Sequence, residues 1–174
     1  PPVQIIDRTC RDFFELKNKY RTFVQSIRMV SCTGRNVWTP QPRRWSTACI
    51  GTDRRGNVLL IFCRSPYSVH DFINILKALP IDLDKAMYLD GGPVASLYVA
   101  AGEQEKEFFG SYETATNADN DNSRAWPIPN VIGVARKKDA ETQGSRDAER
   151  EEGKSQIRNN CQFRNEKPDR KRGL

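Results

Sequence analysis

The run Leu89-Asp90-Gly91-Gly92-Pro93 limits this chain more tightly than any other five residues. A short apolar approach over residues 86–89 reads as a strand, and it ends on a single carboxylate. Two glycines and a proline follow at once, so the chain must turn sharply there. Bare glycine backbone lets main-chain N–H groups approach a ligand that side chains would hold off. Asp90 beside such a turn has two readings: a carboxylate placed for chemistry, or one that only bonds its own backbone at a strand corner.

The length of 174 residues suits one domain with a real core. Runs such as residues 58–62 fall far short of the roughly 18 apolar residues of a membrane-spanning helix. The net charge of +6 divides evenly, with a surplus of three basic residues on each side of position 136. No basic stripe stands out in the folded portion, which argues against nucleic acid as a partner. The five cysteines, at 10, 32, 49, 63 and 161, lack zinc-ligand spacing, and His70 is the single histidine, so no metal and no cofactor is expected. Cys49 and Cys63 fall near one another across the hairpin described next, either as two buried thiols or as a cross-strand disulfide.

Thr9 and Asp12 resemble a capping box, and Phe13, Leu16, Tyr20 and Phe23 follow at helical spacing, which predicts a helix over residues 10–20. A short strand follows at 27–31. The loop after it sets Arg43 and Arg44 beside Trp38 and Trp45, a composition suited to an anion or a sugar face, or to closing the core. Residues 47–52 and 58–63 are β-branched and apolar around Asp53-Arg54-Arg55-Gly56-Asn57, which predicts a hairpin. Because 58–62 is apolar on both faces, that strand is expected at the centre of the sheet. Ser68 and Asp71 cap a second helix, with Val69, Phe72, Ile73, Leu76 and Leu79 on one face and Pro80 ending it. His70 lies off that face and reads as a solvated helix residue.

Further strands are expected over 95–100, over 108–112 after the acidic residues Glu103, Glu105 and Glu107, and over 131–134. Residues 113–122 form a polar loop whose Asp119 and Asp121 lack the remaining ligands of a calcium loop. Past Arg136 apolar residues are sparse, and the segment 137–174 reads as a disordered tail ending in the basic stretch 167–172. The fold class that results is α+β: a mixed β-sheet with a central hairpin flanked by two helices, in a domain over 1–136 followed by that charged tail.

Residues 45–51, the hairpin, Arg64-Ser65-Pro66-Tyr67, the helix to Leu79, the run 86–93, Gly110-Ser111-Tyr112-Glu113-Thr114 and Trp126 to Gly133 come in a distinctive order. In that order they resemble the phosphodiester glycosidase family, whose type enzyme uncovers mannose 6-phosphate by removing N-acetylglucosamine and which has many bacterial secreted or envelope members. The resemblance spans residues 25–135. The chain departs from the family in two places. Pro93, Val94 and Ala95 stand where a third glycine and serines are usual, and Thr47 stands where an arginine is common.

The resemblance implies hydrolysis of the bond between a sugar's anomeric carbon and a phosphodiester, in an extracellular or periplasmic setting and in a divergent bacterial branch. The fixed negative charge of such a substrate calls for cations or N–H dipoles, and its oxocarbenium-like transition state for a carboxylate. Asp90 then serves as the catalytic carboxylate and Glu113 as a second one, with Gly91 and Gly92 offering amides to phosphate oxygens. Arg124 is the expected phosphate clamp, with Arg64, Arg44 and Ser96 as further substrate-binding candidates. Family domains generally begin well before the position of residue 1, so the chain is expected to hold the C-terminal part of the domain and to be marginally stable or homo-oligomeric. Two rival readings are a non-catalytic carbohydrate-binding or envelope-assembly domain, and a protein that meets a polyanion through residues 167–172.

Overall fold

A computed structural model describes residues 3–135; the tail expected over 137–174 and its basic end lie outside the described residues. The centre is a four-stranded sheet in the order β1-β4-β2-β3, built from β1 (Ile27–Val30), β2 (Trp45–Asp53), β3 (Val58–Tyr67) and β4 (Leu83–Gly91). Every ladder in it is antiparallel, so the sheet is not mixed as expected. Helix α2 (Val69–Ala78) crosses one face. There Val69, Phe72, Ile73 and Leu76 pack on Met29, Val30, Cys49 and Ala86 to form the core. The cap predicted for this helix is present, with Ser68 Oγ accepting the Asp71 N–H at 3.1 Å.

The hairpin is present but differently placed. Its turn is tied by Asp53, which accepts the N–H groups of Arg55 and Asn57 at 2.9 and 2.8 Å, and Gly56 supplies the left-handed position at φ 86°. β2 is the buried central strand, whereas β3 lies at the sheet edge. The strand over 58–62 is apolar on both faces for another reason. Ile61, opposite Cys49, packs toward the α2 core, and Phe62 meets Phe108 at 6.2 Å from a second hairpin. That hairpin pairs β5 (Ser96–Ala101) with β6 (Gln104–Phe109). The acidic residues Glu105 and Glu107 therefore lie within a strand, as alternate exposed positions, rather than leading up to one.

The first helix is far shorter than expected. α1 covers Phe13–Leu16, capped by Asp12 rather than Thr9, and one 3-10 turn, Lys17–Lys19, follows it. Thr9 is engaged elsewhere, its N–H and hydroxyl both donating to Asp7. Leu16 is the one buried residue of α1, and it lies outside the cluster that α2 forms on the sheet, so α1 does not share that core as a second flanking helix. The unforeseen link in this region is a disulfide between Cys10 and Cys32, with Cα atoms 6.5 Å apart. Cys49 and Cys63 are free. Cys49 stands opposite Ile61 and Cys63 opposite Thr47, so the ladder does not face the two thiols directly. Burial, with the Cys63 thiol nearby, pushes the Cys49 thiol up to about 12. His70 is half-buried, its ring near Asp71 and its carbonyl bonded by Asn36, a helix position as expected. Residues 130–135 form no strand; Val131 and Val134 are about three-quarters exposed, without a ladder partner among the described residues. Among those residues no helix is long and apolar enough to cross a membrane.

Candidate active site

Because β2 and β4 run antiparallel, the start of β2 and the end of β4 share one end of the sheet. Trp45 opens β2 there and Asp90-Gly91 closes β4. Ala48 pairs with Asp90 while Cys49 pairs with Tyr88, which leaves Leu89 as an extra residue on β4. Such a bulge bends the strand and re-aims the side chain that follows it, here Asp90. The chain then leaves through a 3-10 turn, Gly92–Val94, with Gly92 at φ 67°. The two glycines meet separate needs. A Cβ on Gly91 would run into the Tyr88 hydroxyl and the Trp45 indole, and one on Gly92 would stand 2.8 Å from Glu113 Oε2.

The polar loop after β6 closes over this end. Glu113 bridges to Trp45 in an isolated antiparallel pair, and Thr114 exchanges two hydrogen bonds with the backbone of Arg44 through its hydroxyl at 2.8 Å each. A cavity of about 260 Å³ results, lined among others by Arg43, Trp45, Tyr88, Asp90, Gly91 and Glu113. Two acidic residues and one arginine therefore line the same hollow. Ion pairs among the described residues use Arg28, Arg55, His70 and Lys85 as their cations, leaving Arg43 without a carboxylate partner.

Below them lies Tyr88. Burial, then the charges of Asp90 and Glu113, hold its hydroxyl well above the usual phenol range, so at neutral pH it keeps its proton and remains a hydrogen-bond donor. The Trp45 indole N–H is close enough to offset part of that rise. It is nevertheless the one buried side-chain polar atom among the described residues without a formed hydrogen bond. Trp38 packs against Tyr88 with tilted rings, 5.7 Å between centroids, and donates its own indole N–H to the Arg28 carbonyl. Trp45 and Tyr88 thus give the cavity an aromatic lining.

The expected residues divide plainly. Asp90, Gly91 and Glu113 line the cavity, and Gly92 packs against Glu113. Asp90 is exposed and its Oδ1 accepts the N–H of Gly91 at 2.8 Å, so that amide is already engaged. Glu113 accepts the Thr116 hydroxyl at 2.5 Å. Arg64 lies elsewhere: its guanidinium donates to the carbonyls of Phe109, Asn120 and Asn122 at 2.7, 3.2 and 2.9 Å, which ties the loop to β3. Arg44 is exposed, and its charge acts on Asp71 at the start of α2. Arg124 is exposed beside Asn122, and Ser96 pairs with Phe109 in the second hairpin; neither lines the cavity. Arg43, Trp45 and Tyr88 take their place. Arg43 and Trp45 belong to the arginine- and tryptophan-bearing stretch whose composition suits an anion or a sugar, and Tyr88 is two residues ahead of Asp90 on one strand.

The sequence profile of the phosphodiester glycosidase family matches residues 7–135. The chain is a member of that family. The match begins ahead of the motifs that suggest it, and so takes in the segment bearing Asp7 and Cys10. No curated protein and no solved structure matches the chain. A phosphodiester glycosidase acts on a sugar linked through phosphate, and this membership implies a glycosidase-type role and a glycan substrate in general terms.

Proposed function

We propose that the cavity at the end of β2 and β4 hydrolyses a sugar-1-phosphodiester in a glycan or envelope polymer. One observation carries the reading: Arg43, Asp90 and Glu113 line one hollow of about 260 Å³, within a phosphodiester glycosidase domain. Arg43 holds the phosphate, since a guanidinium grips two of its oxygens in pairs. Trp45 and the protonated Tyr88 present an apolar face and a donor to the sugar ring. Water adds to the anomeric carbon as the bond from that carbon to the phosphate oxygen breaks. The bonding electron pair leaves with the phosphate monoester, and the water's proton passes to the Asp90 carboxylate, which also faces the oxocarbenium-like charge. Glu113 is the second carboxylate and orients the sugar or the water. Phosphate is a good leaving group, so no strong acid is needed at its oxygen.

The disulfide between Cys10 and Cys32 supports an extracellular or periplasmic setting, because such bonds persist where the surroundings are oxidising. A second reading, glycan binding without turnover, is favoured by the bond between Asp90 and its neighbour's N–H, which occupies part of the carboxylate. A chromogenic sugar phosphodiester separates the two. Release of the chromophore that is lost in Asp90→Asn supports hydrolysis, whereas binding that survives Asp90→Asn without any turnover by the unaltered protein supports the second.

A further inference from the structure

Away from this cavity, the segment ahead of β1 carries a cluster of aromatic rings on its outside. Phe13 contacts Phe14 and Phe23 edge to face at 5.9 and 5.3 Å, and Tyr20 meets Phe23 at 6.3 Å. The rings do not bury one another: Phe14 is 62% exposed, Phe23 48% and the adjoining Val24 53%. An exposed apolar group of this kind marks a contact surface. Its charge is net basic, since residues 8–24 hold five basic side chains against two acidic ones. Lys17 stands over the Phe14 ring at 5.1 Å, Lys19 and Arg21 flank Tyr20, and a shallow hollow of about 360 Å³ beside the rings is lined by Arg8, Arg11 and Phe14 among others.

The segment is pinned rather than trailing. Arg28 on β1 pairs with Asp7 at 2.7 Å, and the Cys10–Cys32 disulfide joins it to the far end of that strand. We propose that this face docks on an anionic lipid surface, with Phe14, Phe23 and Val24 entering the headgroup boundary and Lys17, Lys19 and Arg21 meeting lipid phosphates. Charge selects this occupant. Rings alone would suit many apolar partners, but rings edged by an excess of cations match an acidic bilayer. The proposal does not depend on the reaction assigned to the Asp90 cavity.

The test is co-sedimentation of the full chain with phosphatidylcholine vesicles containing phosphatidylglycerol, set against phosphatidylcholine alone. Binding is expected to the first and not the second. It should weaken at least about tenfold in the double variant Phe14→Ser, Phe23→Ser, and separately in Lys17→Glu, Arg21→Glu, which keeps the rings. All of these positions are exposed, and an unchanged thermal melt confirms that the variants are folded. Binding that both double variants retain assigns the attraction to the rest of the chain, including residues 167–172, and overturns the proposal. So does a dimer in sedimentation velocity that Phe14→Ser dissociates, if vesicles capture nothing.

Discussion

Replacing Gly91 with alanine isolates the packing that shapes the cavity. Gly91 has extended backbone, φ −140° and ψ 169°, which alanine adopts freely, so any cost is steric. The added methyl would enter space held by the Tyr88 hydroxyl and the Trp45 indole, neither of which is free to retreat, since Trp38 backs Tyr88 and Glu113 pairs with Trp45. Forcing a methyl into packed surroundings costs about 1–3 kcal/mol, which for a chain of this size lowers the melting temperature by roughly 2–12 °C. Gly102→Ala is the comparison, since its Cβ would meet nothing within 4 Å and its φ of 61° costs about 1–2 kcal/mol through the backbone alone. Urea unfolding gives both numbers, and tryptophan fluorescence of the folded state separates them. Gly91→Ala should shift the emission of Trp45 and reduce hydrolysis, whereas Gly102→Ala should do neither. A Gly91→Ala protein with unchanged stability and emission would refute the packing of Trp45 and Tyr88 against this turn.

Arg43→Ala should raise KM for a sugar phosphodiester at least about tenfold while Arg44→Ala leaves it unchanged, because Arg43 lines the cavity and Arg44 does not. Arg64→Ala, which removes three hydrogen bonds to carbonyls, should destabilise by roughly 1.5–3 kcal/mol and speed proteolysis within residues 113–122, read by limited digestion. Asp7 governs acid stability. Burial opposes its ionisation, but the N–H groups of Cys32 and Thr9, the Thr9 hydroxyl and Arg28 outweigh it and hold the carboxyl well below its ordinary 3.8. The folded chain therefore binds this proton less readily than the unfolded one, so the stabilisation is complete above about pH 4 and is lost as the pH falls further. Asp7→Asn should be less stable at neutral pH, and its melting temperature should fall less steeply between about pH 4 and pH 2.

Local chemistry made α2 and the first hairpin legible: Ser68 and the apolar spacing announce the helix, and Gly56 announces the turn. The strand position of β3 was not legible in the same way. Apolar residues on both faces show that both are covered, but not whether the cover is a neighbouring strand or, as here, a helix and a second hairpin. α1 was overextended because Phe13, Leu16, Tyr20 and Phe23 keep helical spacing while three of them join a surface cluster of rings instead of a core. Strands expected over 108–112 and 131–134 shifted or vanished for want of a partner at that register.

At the site, Asp90 and the glycines stand out because the sharp turn itself marks them, whereas Glu113 enters only through the family resemblance. The cation does not stand out. Arg43 and Arg44 are neighbours of identical chemistry, and it is Arg43 that lines the hollow while the Arg44 backbone is tied to Thr114. Nor does any spacing announce the bulge at Leu89 or the bond between Cys10 and Cys32, since both depend on how distant segments meet.

In the proposed reaction water attacks the sugar carbon and not the phosphorus. Hydrolysis of a sugar-1-phosphodiester in water enriched with oxygen-18, followed by mass spectrometry of both products, reads this in one experiment. Heavy oxygen is expected on the anomeric hydroxyl of the released sugar, with an unlabelled phosphate monoester. Label in the phosphate would rule out attack at carbon.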